Sequence, residues 1–399
     1  MRRAVQLLIF LLAGGGLFLF ANTKNDFLLT QLAQNTSPQE VKKENLNGDI
    51  PLQRQLLNPP EIIKAVYATG WTAGSVKGLN RLIDLIKKTE LNAIVIDIKD
   101  YSGEMSYPTE ISKVEEYGKG RDIKILRPNA MIKKLHDEGI YVIARQTVFQ
   151  DPVLAKARPD LALTSSSTGK QWLDNKKVMW IDPVGKESWD YNVEIAKDAF
   201  VRGFDEVNFD YIRFASDGNL NDIKYPFWDE KALKRYVIRD FFKYMRKSFP
   251  DNIISADLFG LVTLNYGDVG IGQNIDDAYH YFDAIAPMVY PSHYNKGFDG
   301  YQNPADHPYE VVYSSILEAN ERLKHYIINA ANSTSTEKYL VKNPQLRPWL
   351  QDFDLGATYD AEKVRAQMNA VYNAATGTPV GWMLWDPSNI YTKAALLSE

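Results

Sequence analysis

The side chains with the clearest chemical potential lie in one segment of the chain, FDEVNFDYIRFASDG at 204–218. Apolar residues alternate there with Glu206, Asn208 and Asp210. Because alternate side chains of a β-strand point to the same face, we expect these three polar groups to lie side by side. Burying a polar group costs roughly 1–3 kcal/mol unless it is paired or used. The pattern therefore predicts a buried strand that ends at the floor of an active site, with Asp210 as the leading candidate.

Six further predicted strands end in residues that carry charge, form hydrogen bonds or stack. In chain order these are Asp97, Lys99 and Asp100, then Arg145, Asp257, Tyr290 with His293, Gln351 with Asp352, and Trp385 with Asp386. Asp97 and Lys99 are two residues apart, so we expect both side chains to point into the same opening. A buried ion pair that joins Asp97 to Lys99 or to Arg145 is at least as good an interpretation. For Asp210, the structural alternative is a pair with Arg213.

The elements that must position these residues alternate regularly between strand-like and helix-like patterns from residue 62 onward. Strands are predicted at 63–68, 93–99, 141–146, 206–210, 253–258, 284–290, 346–351 and 380–385. Helices are predicted at 76–88, 129–138, 187–202, 229–248, 275–282, 309–326 and 360–374, with 391–397 as a candidate for an eighth. Eight such pairs predict an α/β fold, a single-domain (β/α)8 TIM barrel, whose sites lie where the strands end. An open doubly wound sheet is the alternative, which the lack of a glycine-rich phosphate loop disfavours.

The N-terminus has a different composition from the body of the chain. Arg2 and Arg3 precede an apolar run up to Ala21, so residues 1–21 are interpreted as a signal peptide or membrane anchor. Residues 22–60 have the polar composition of a disordered linker, and the barrel domain is assigned to 61–399. The positive N-terminal flank predicts an extracytoplasmic body, either membrane-anchored through an uncleaved segment or secreted.

Composition and missing motifs exclude several classes of function. A net charge of −4 gives no basic field for nucleic acid. Without Cys there is no thiolate nucleophile, and the five His lack metal-binding spacing, so we expect neither a metal nor another cofactor. No G-x-S-x-G motif marks a serine nucleophile. The 23 Tyr and 8 Trp, by contrast, suit a protein that stacks flat ligands such as sugar rings.

Five stretches carry a resemblance to a known family: YATGWTAGS, AIVIDIKDYSGEMSY, FDEVNFDYIRFASDG, DAIAPMVYPSHY and GWMLWDPSNIYT. Together they resemble the "Putative glycosyl hydrolase domain" family, TIM barrels related to glycosidases, over about residues 62–397. A more distant likeness is to family 18 chitinases, which carry D-x-x-D-x-D-x-E on the fourth strand. Here that frame holds Asp205, Asn208, Asp210 and Ile212, so the chitinase acid is absent and its mechanism is not carried over.

The first functional hypothesis is a glycoside hydrolase that acts on a cell-envelope or extracellular polysaccharide. By analogy with α-amylase-like barrels, Asp210 would be the nucleophile or general base and Asp257 the general acid, with a pKa raised by its surroundings. The residues expected to bind the polysaccharide or oligosaccharide are Asp97, Lys99, Arg145, Asn208, Arg213, Tyr290, His293, Trp385 and Asp386.

Two other hypotheses stay open. One is a catalytically silent barrel that binds carbohydrate or organises the envelope, which the missing chitinase acid motivates. The other is a different polysaccharide activity such as deacetylation, which usually needs a metal site that the sequence does not offer. The first two differ in what surrounds Asp210 and Asp257: an open cleft favours the enzyme, and carboxylates locked in ion pairs favour the binding module.

Overall fold

Eight parallel strands close into a barrel in the computed structural model, which describes residues 48–333, 340–341 and 343–398. The strands are β1 Lys64–Ala68, β2 Ala93–Lys99, β3 Tyr141–Thr147, β4 Glu206–Asp210, β5 Ile253–Phe259, β6 Ala284–Met288, β7 in two pieces, Gln345–Leu346 and Trp349–Gln351, and β8 Trp382–Trp385. Each strand pairs with the next one, and β8 returns to β1, with Lys64 opposite Trp382. The (β/α)8 prediction is thus confirmed.

The strands read as near-continuous apolar runs because both of their faces are covered. All seven residues of β2 and all seven of β3 are buried. Parallel strands of this kind pack one face against the surrounding helices and the other against the barrel interior. Polar residues in such strands must therefore find partners inside the barrel or beneath the helices.

Ten helices surround or connect these strands within the described ranges. They are α1 Gly70–Gly74, α2 Val76–Ile86, α3 Ser112–Tyr117, α4 Pro128–Asp137, α5 Pro152–Ala157, α6 Lys186–Arg202, α7 Lys234–Ser248, α8 Ile275–Tyr279, α9 Pro308–Ala331 and α10 Ala361–Ala374. The caps explain several bounds: Ser75 Oγ accepts from the Gly78 N–H (3.3 Å), and α6 ends at Gly203 with a φ of 105°. The candidate helix at 391–397 is wrong, because only the 3₁₀ turn Lys393–Ala395 forms there.

Strand β7 is interrupted, whereas the sequence predicted a continuous strand. Arg347 and Pro348 separate its two pieces. Proline has no N–H to donate to a sheet ladder, so an interruption there is expected. The first piece pairs with β6, and the second pairs with β8 and also reaches β6 through Trp349 and Met288. The barrel therefore closes despite the break.

Residues 49–56 lie against the barrel, although the sequence grouped them with the linker. The Asp49 carboxylate accepts from the backbone N–H groups of Asn129 (2.8 Å) and Ala130 (3.1 Å) at the start of α4. Further along, the Leu56 N–H donates to Asp205 Oδ1 (2.6 Å), just before β4. The Leu56 side chain packs against the apolar cluster inside the barrel. This segment therefore covers the end of the barrel at which the strands begin, opposite the end at which they finish.

The loops after β3 and β4 are tied together at the C-terminal end of the barrel. Thr164–Ser165 and Ile223–Lys224 form a two-residue antiparallel ladder. The Ser167 N–H also donates to Asp222 Oδ1 (2.8 Å). These two loops form one side of the barrel mouth, next to the ends of β3 and β4.

The predicted signal or anchor at 1–21 lies outside the described residues. Among those that are described, we find no helix with the length and apolar content needed to cross a bilayer.

Candidate functional site

The site is organised around Arg145, which lies near the C-terminal end of β3 and contacts three carboxylates. Arg145 Nη1 donates to Asp97 Oδ1 (2.6 Å), and Nη2 donates to Asp210 Oδ2. Arg145 Nε donates to Asp257 Oδ2 at 3.4 Å. The prediction that Asp97 pairs with Arg145 is correct, and Asp210 pairs with Arg145 where we had considered Arg213. Three negative groups thus share one guanidinium.

Asp257 is the most enclosed of these carboxylates, with 1% of its surface exposed. Its Oδ1 accepts from Asn208 Nδ2 (2.9 Å) and from Trp349 Nε1 (2.7 Å). Burial and then the negative charge of Asp210 raise the pKa of Asp257 to about 7, although Arg145 opposes the shift. Asp257 can therefore hold a proton near neutral pH.

Asp210 ends β4, and a strained turn follows it. Its Oδ1 accepts from the Tyr211 N–H (2.5 Å). Tyr211 has a φ of 53°, a left-handed conformation that is uncommon for a large side chain. Strain of this kind is retained where the surroundings enforce it, often at functional sites. The turn brings the Tyr211 ring within 5.3 Å of the Arg213 guanidinium.

An aromatic group lies beside Arg145. The rings of Tyr67 and Trp385 stack at 3.8 Å with an interplanar angle of 16°. The Arg145 guanidinium lies 4.9 Å from the Trp385 ring centroid, and the Tyr67 hydroxyl donates to Asp97 Oδ2 (2.5 Å). Tyr290 is buried in the same interior cluster, and burial followed by the Asp257 charge raises the pKa of its hydroxyl. These rings and carboxylates therefore belong to one arrangement.

A second polar layer lies deeper in the barrel. Glu206, at the start of β4, accepts from Arg347 Nη1 (3.1 Å) and Nη2, and also from the Ser255 hydroxyl. Asn208 Nδ2 connects the two layers, because it also donates to Ser255 Oγ (3.0 Å). Glu206, Asn208 and Asp210 thus share the interior face of β4, as the alternation in the sequence predicted.

Lys99 is not part of this arrangement, and the expectation that it points into the mouth beside Asp97 is wrong. The β2–β3 register shifts by one residue between Asp97 and Lys99, which turns the two side chains to opposite faces. Lys99 Nζ instead lies 2.7 Å from Asp151 Oδ2 and donates to Asn192 Oδ1 (3.0 Å). Lys99 and Asp151 therefore form a fully buried ion pair beneath the helices.

Three other predicted binding residues lie around the arrangement. His293 is exposed, with its ring 5.3 Å from that of Tyr290. Asp386 holds the turn after β8, where its carboxylate accepts from the Ser388 N–H (2.8 Å) and the Ile390 N–H (3.1 Å). Arg213 lies in a box of aromatic rings next to the Asp210 turn.

Sequence reasoning missed two residues that contact the carboxylates, Tyr67 on β1 and Trp349 on β7. Each is a large buried aromatic side chain with one hydrogen-bond donor. A buried Tyr or Trp usually needs a partner for that donor, and this signal could have identified both. In the described part of the chain we find no group of three or more His, Asp or Glu arranged to hold a metal ion.

The chain is similar in sequence to one protein family and in fold to solved structures. A family model described as "Putative glycosyl hydrolase domain" matches residues 65–391. A hypothetical protein from Ruminiclostridium thermocellum ATCC 27405 is 41% identical over 48% of this chain and 96% of its own, with a TM-score of 0.45. The PgaB (BpsB) glycoside hydrolase domain from Bordetella bronchiseptica is 15% identical over 84% of this chain and 99% of its own, with a TM-score of 0.56, so the two share a fold. A search of curated proteins gives no match.

Proposed function

The chain belongs to the family described as "Putative glycosyl hydrolase domain", and from that premise we propose that it hydrolyses glycosidic bonds in a polysaccharide. One observation carries the proposal: Asp210 and Asp257 end or nearly end adjacent strands and contact the same guanidinium. A guanidinium is only a few ångströms wide, so the two carboxyl groups lie close together, as the paired carboxyl groups of a glycosidase must.

Asp257 is assigned as the general acid. An acid must hold its proton near neutral pH and deliver it to the oxygen of the leaving sugar. Burial and the neighbouring Asp210 give Asp257 a pKa of about 7, which meets the first requirement. Its two neutral donors, Asn208 and Trp349, both bond to Oδ1, whereas Oδ2 accepts only the long contact from Arg145 Nε (3.4 Å), so Oδ2 is the oxygen that would carry the proton.

Asp210 is assigned as the second carboxylate, acting either as the nucleophile or as the base that activates water. As a nucleophile it would bond to the anomeric carbon while the leaving oxygen takes the proton from Asp257. As a base it would remove a proton from the attacking water instead. In both cases Arg145, which donates to Asp210 Oδ2, would hold this carboxylate in position.

The charge balance of the site suits this reaction. Even with Asp257 protonated as the acid, the two carboxylates of Asp97 and Asp210 outnumber their shared partner Arg145. Glycoside cleavage passes through a transition state with positive charge on the sugar ring. A buried excess of negative charge favours such a transition state over the neutral substrate.

The stacked rings of Tyr67 and Trp385 would supply a flat apolar surface for the sugar. Trp385 is partly exposed, and Tyr67 is buried beneath it. Sugar rings present C–H faces that pack on aromatic rings. Asp97, which accepts from the Tyr67 hydroxyl, and Tyr290, in the same interior cluster, would bind sugar hydroxyls.

A panel of envelope and extracellular polysaccharides tests the proposal. The full-length protein should release reducing ends from at least one of them. Asp210→Asn should abolish release, by roughly a thousandfold or more, while binding persists. Asp217→Asn is the matched control, because Asp217 is an exposed carboxylate in the loop that follows Asp210. Equal rates for the wild type and Asp210→Asn would remove Asp210 from the mechanism.

The second candidate is a barrel that binds carbohydrate without cleaving it. The pairing of both carboxylates with Arg145, and the 1% exposure of Asp257, favour it. The same panel separates the two candidates, because a silent barrel would bind a glycan and release no reducing ends. In that case Asp210→Asn would alter the affinity and nothing else.

An extracytoplasmic location is part of the proposal, and it rests on the basic and apolar pattern of residues 1–21. Mass analysis of the N-terminus of the native protein would distinguish a cleaved signal from a retained anchor. Recovery of the chain in the cytoplasmic fraction with residues 1–21 intact would contradict this location.

A further inference from the structure

Arg213 is a buried arginine that forms no ion pair with any carboxylate in the described ranges. Six arginines are between 2% and 7% exposed in the described ranges. Five of them lie against a carboxylate: Arg145, Arg202, Arg246, Arg322 and Arg347. Arg213 is the sixth, and no carboxylate in the described part of the chain comes within 4 Å of it. Its Nη1 donates to the Phe214 carbonyl (3.0 Å) and to Ser216 Oγ (2.9 Å), while Nε and Nη2 donate to no described group.

Aromatic rings surround this guanidinium. It lies 4.6 Å from the ring centroid of Phe259, 4.8 Å from that of Trp180 and 5.3 Å from that of Tyr211. Cation–π contacts of this kind contribute only about 0.5 to 2 kcal/mol each, whereas burying an uncompensated charge costs several kcal/mol. Burial accordingly lowers the pKa of Arg213, and the nearby groups Tyr211, Asp210, Asp217 and Asp174 offset this only in part.

The position of Arg213 connects it to the site. It follows Asp210 by three residues, and the strained Tyr211 turn holds the two together. Phe259, on its other side, follows Asp257 by two residues at the end of β5. The guanidinium thus lies at the ends of the two strands that carry the proposed catalytic carboxylates.

We infer that Arg213 binds an anionic substituent of the sugar, so that the substrate is an acidic saccharide. The inference rests on the proposed function for its location and adds the class of substrate. An anion on Nε and Nη2 would supply the charge that this arginine lacks and would make the paired hydrogen bonds that a guanidinium offers. It would also offset the repulsion between an acidic sugar and Asp210. A carboxylate and a sulfate ester share this chemistry.

Small anions test the inference without knowledge of the glycan. Thermal unfolding of the full-length protein is measured with glucuronate, inorganic sulfate and, as a neutral control, glucose. Glucuronate or sulfate should raise the unfolding temperature of the wild type, and glucose should not. The anion that acts identifies the source as a uronic acid or a sulfated sugar. Arg213→Gln should weaken the binding of that anion about ten- to a hundredfold. Arg213→Lys should weaken its binding less.

A matched variant separates binding from folding. Arg246→Gln removes a buried arginine that pairs with Asp283, so it should destabilise the protein. Arg213→Gln should leave stability unchanged or raise it, because it removes an uncompensated charge. Equal effects of both anions on the wild type and Arg213→Gln, or no effect on either protein, would overturn the inference. So would a loss of stability in Arg213→Gln as large as that in Arg246→Gln.

Polysaccharide assays distinguish this inference from the proposed function. Oligogalacturonate with its methyl ester, and carrageenan oligosaccharide with its desulfated form, are matched acidic and neutral pairs. Cleavage of neutral members alone, at equal rates in the wild type and Arg213→Gln, would support the hydrolase and overturn the acidic substrate. Arg213-dependent binding of acidic members without cleavage would support the acidic ligand and contradict the hydrolase.

Discussion

The protonation of Asp257 can be measured through the stability of the protein. Asn has the shape of Asp and keeps an oxygen for the two neutral donors, Asn208 Nδ2 and Trp349 Nε1, but it does not titrate. Replacing Asp257 with Asn therefore removes one ionisation from the folded and unfolded states alike. The change in stability with pH then reports the pKa of Asp257 in the folded protein.

The structure gives the sign and the magnitude. The pKa of Asp257 is raised to about 7 in the folded protein, against about 3.9 for an unfolded chain. The folded state thus holds this proton more tightly. The stabilisation that the proton gives to the folded state is fully present below about pH 4 and is lost as the pH rises through 7. Three pKa units correspond to about 4 kcal/mol. Relative to the wild type, Asp257→Asn should therefore gain up to about 4 kcal/mol between pH 4 and pH 8.

Urea unfolding at half-unit steps from pH 4 to pH 8.5 provides the measurement. Asp352→Asn serves as a comparison, because burial raises the pKa of Asp352 to about 6. The difference in unfolding free energy between Asp352→Asn and the wild type, plotted against pH, should level off about one pH unit lower than the corresponding difference for Asp257→Asn. A constant offset from the contacts that each substitution removes does not affect the slope of its curve.

A flat difference curve between pH 5 and pH 8 would refute the reasoning. It would mean that Asp257 is ionised throughout this range, so it could not serve as a general acid. A pKa lowered by Arg145 would give the same flat curve above pH 5, because both states would be ionised there, and the variant would lose stability relative to the wild type only as the pH rises from 4 to about 5.

Two further predictions concern the partners of these carboxylates. Arg145→Gln should lower the free energy of unfolding by about 3 to 5 kcal/mol at pH 7, because three buried carboxylates lose their shared positive charge; an unchanged urea midpoint would contradict this. Trp385→Ala should raise KM about tenfold with kcat changed much less, because the stacking surface binds the sugar equally before and during the reaction. Steady-state kinetics on the substrate found in the panel would measure both constants. A selective loss of kcat would assign Trp385 a different role.

Much of the fold could be predicted because both periodicities are strong. Strands β2 and β4 have the bounds that the sequence predicted, at 93–99 and 206–210. Helix α7 begins at Lys234, five residues after its predicted start, because the apolar spacing extends into the preceding loop. The break in β7 was missed, since Pro348 is the only local sign of it and the flanking residues are strand formers.

The site was harder to predict because it depends on how strands meet across the barrel. Alternation along β4 correctly placed Asn208 and Asp210 on one face, since both belong to the same strand. Alternation failed at Lys99, where a one-residue bulge changes the face. The role of Arg145 as the shared partner of three carboxylates requires β2, β3, β4 and β5 together, and no local pattern contains that information.

The segment that covers the closed end of the barrel defines how short a working form of this protein can be. The family match begins at residue 65, and a boundary drawn there would discard residues 49–56. Such a form would lose the Leu56 side chain from the interior cluster and the Asp49 carboxylate from the start of α4. It would also uncover Asp205, which holds His136 and the Val142 N–H in place. We therefore expect the part of the chain that folds stably to include Asp49, about sixteen residues ahead of the start of the family match.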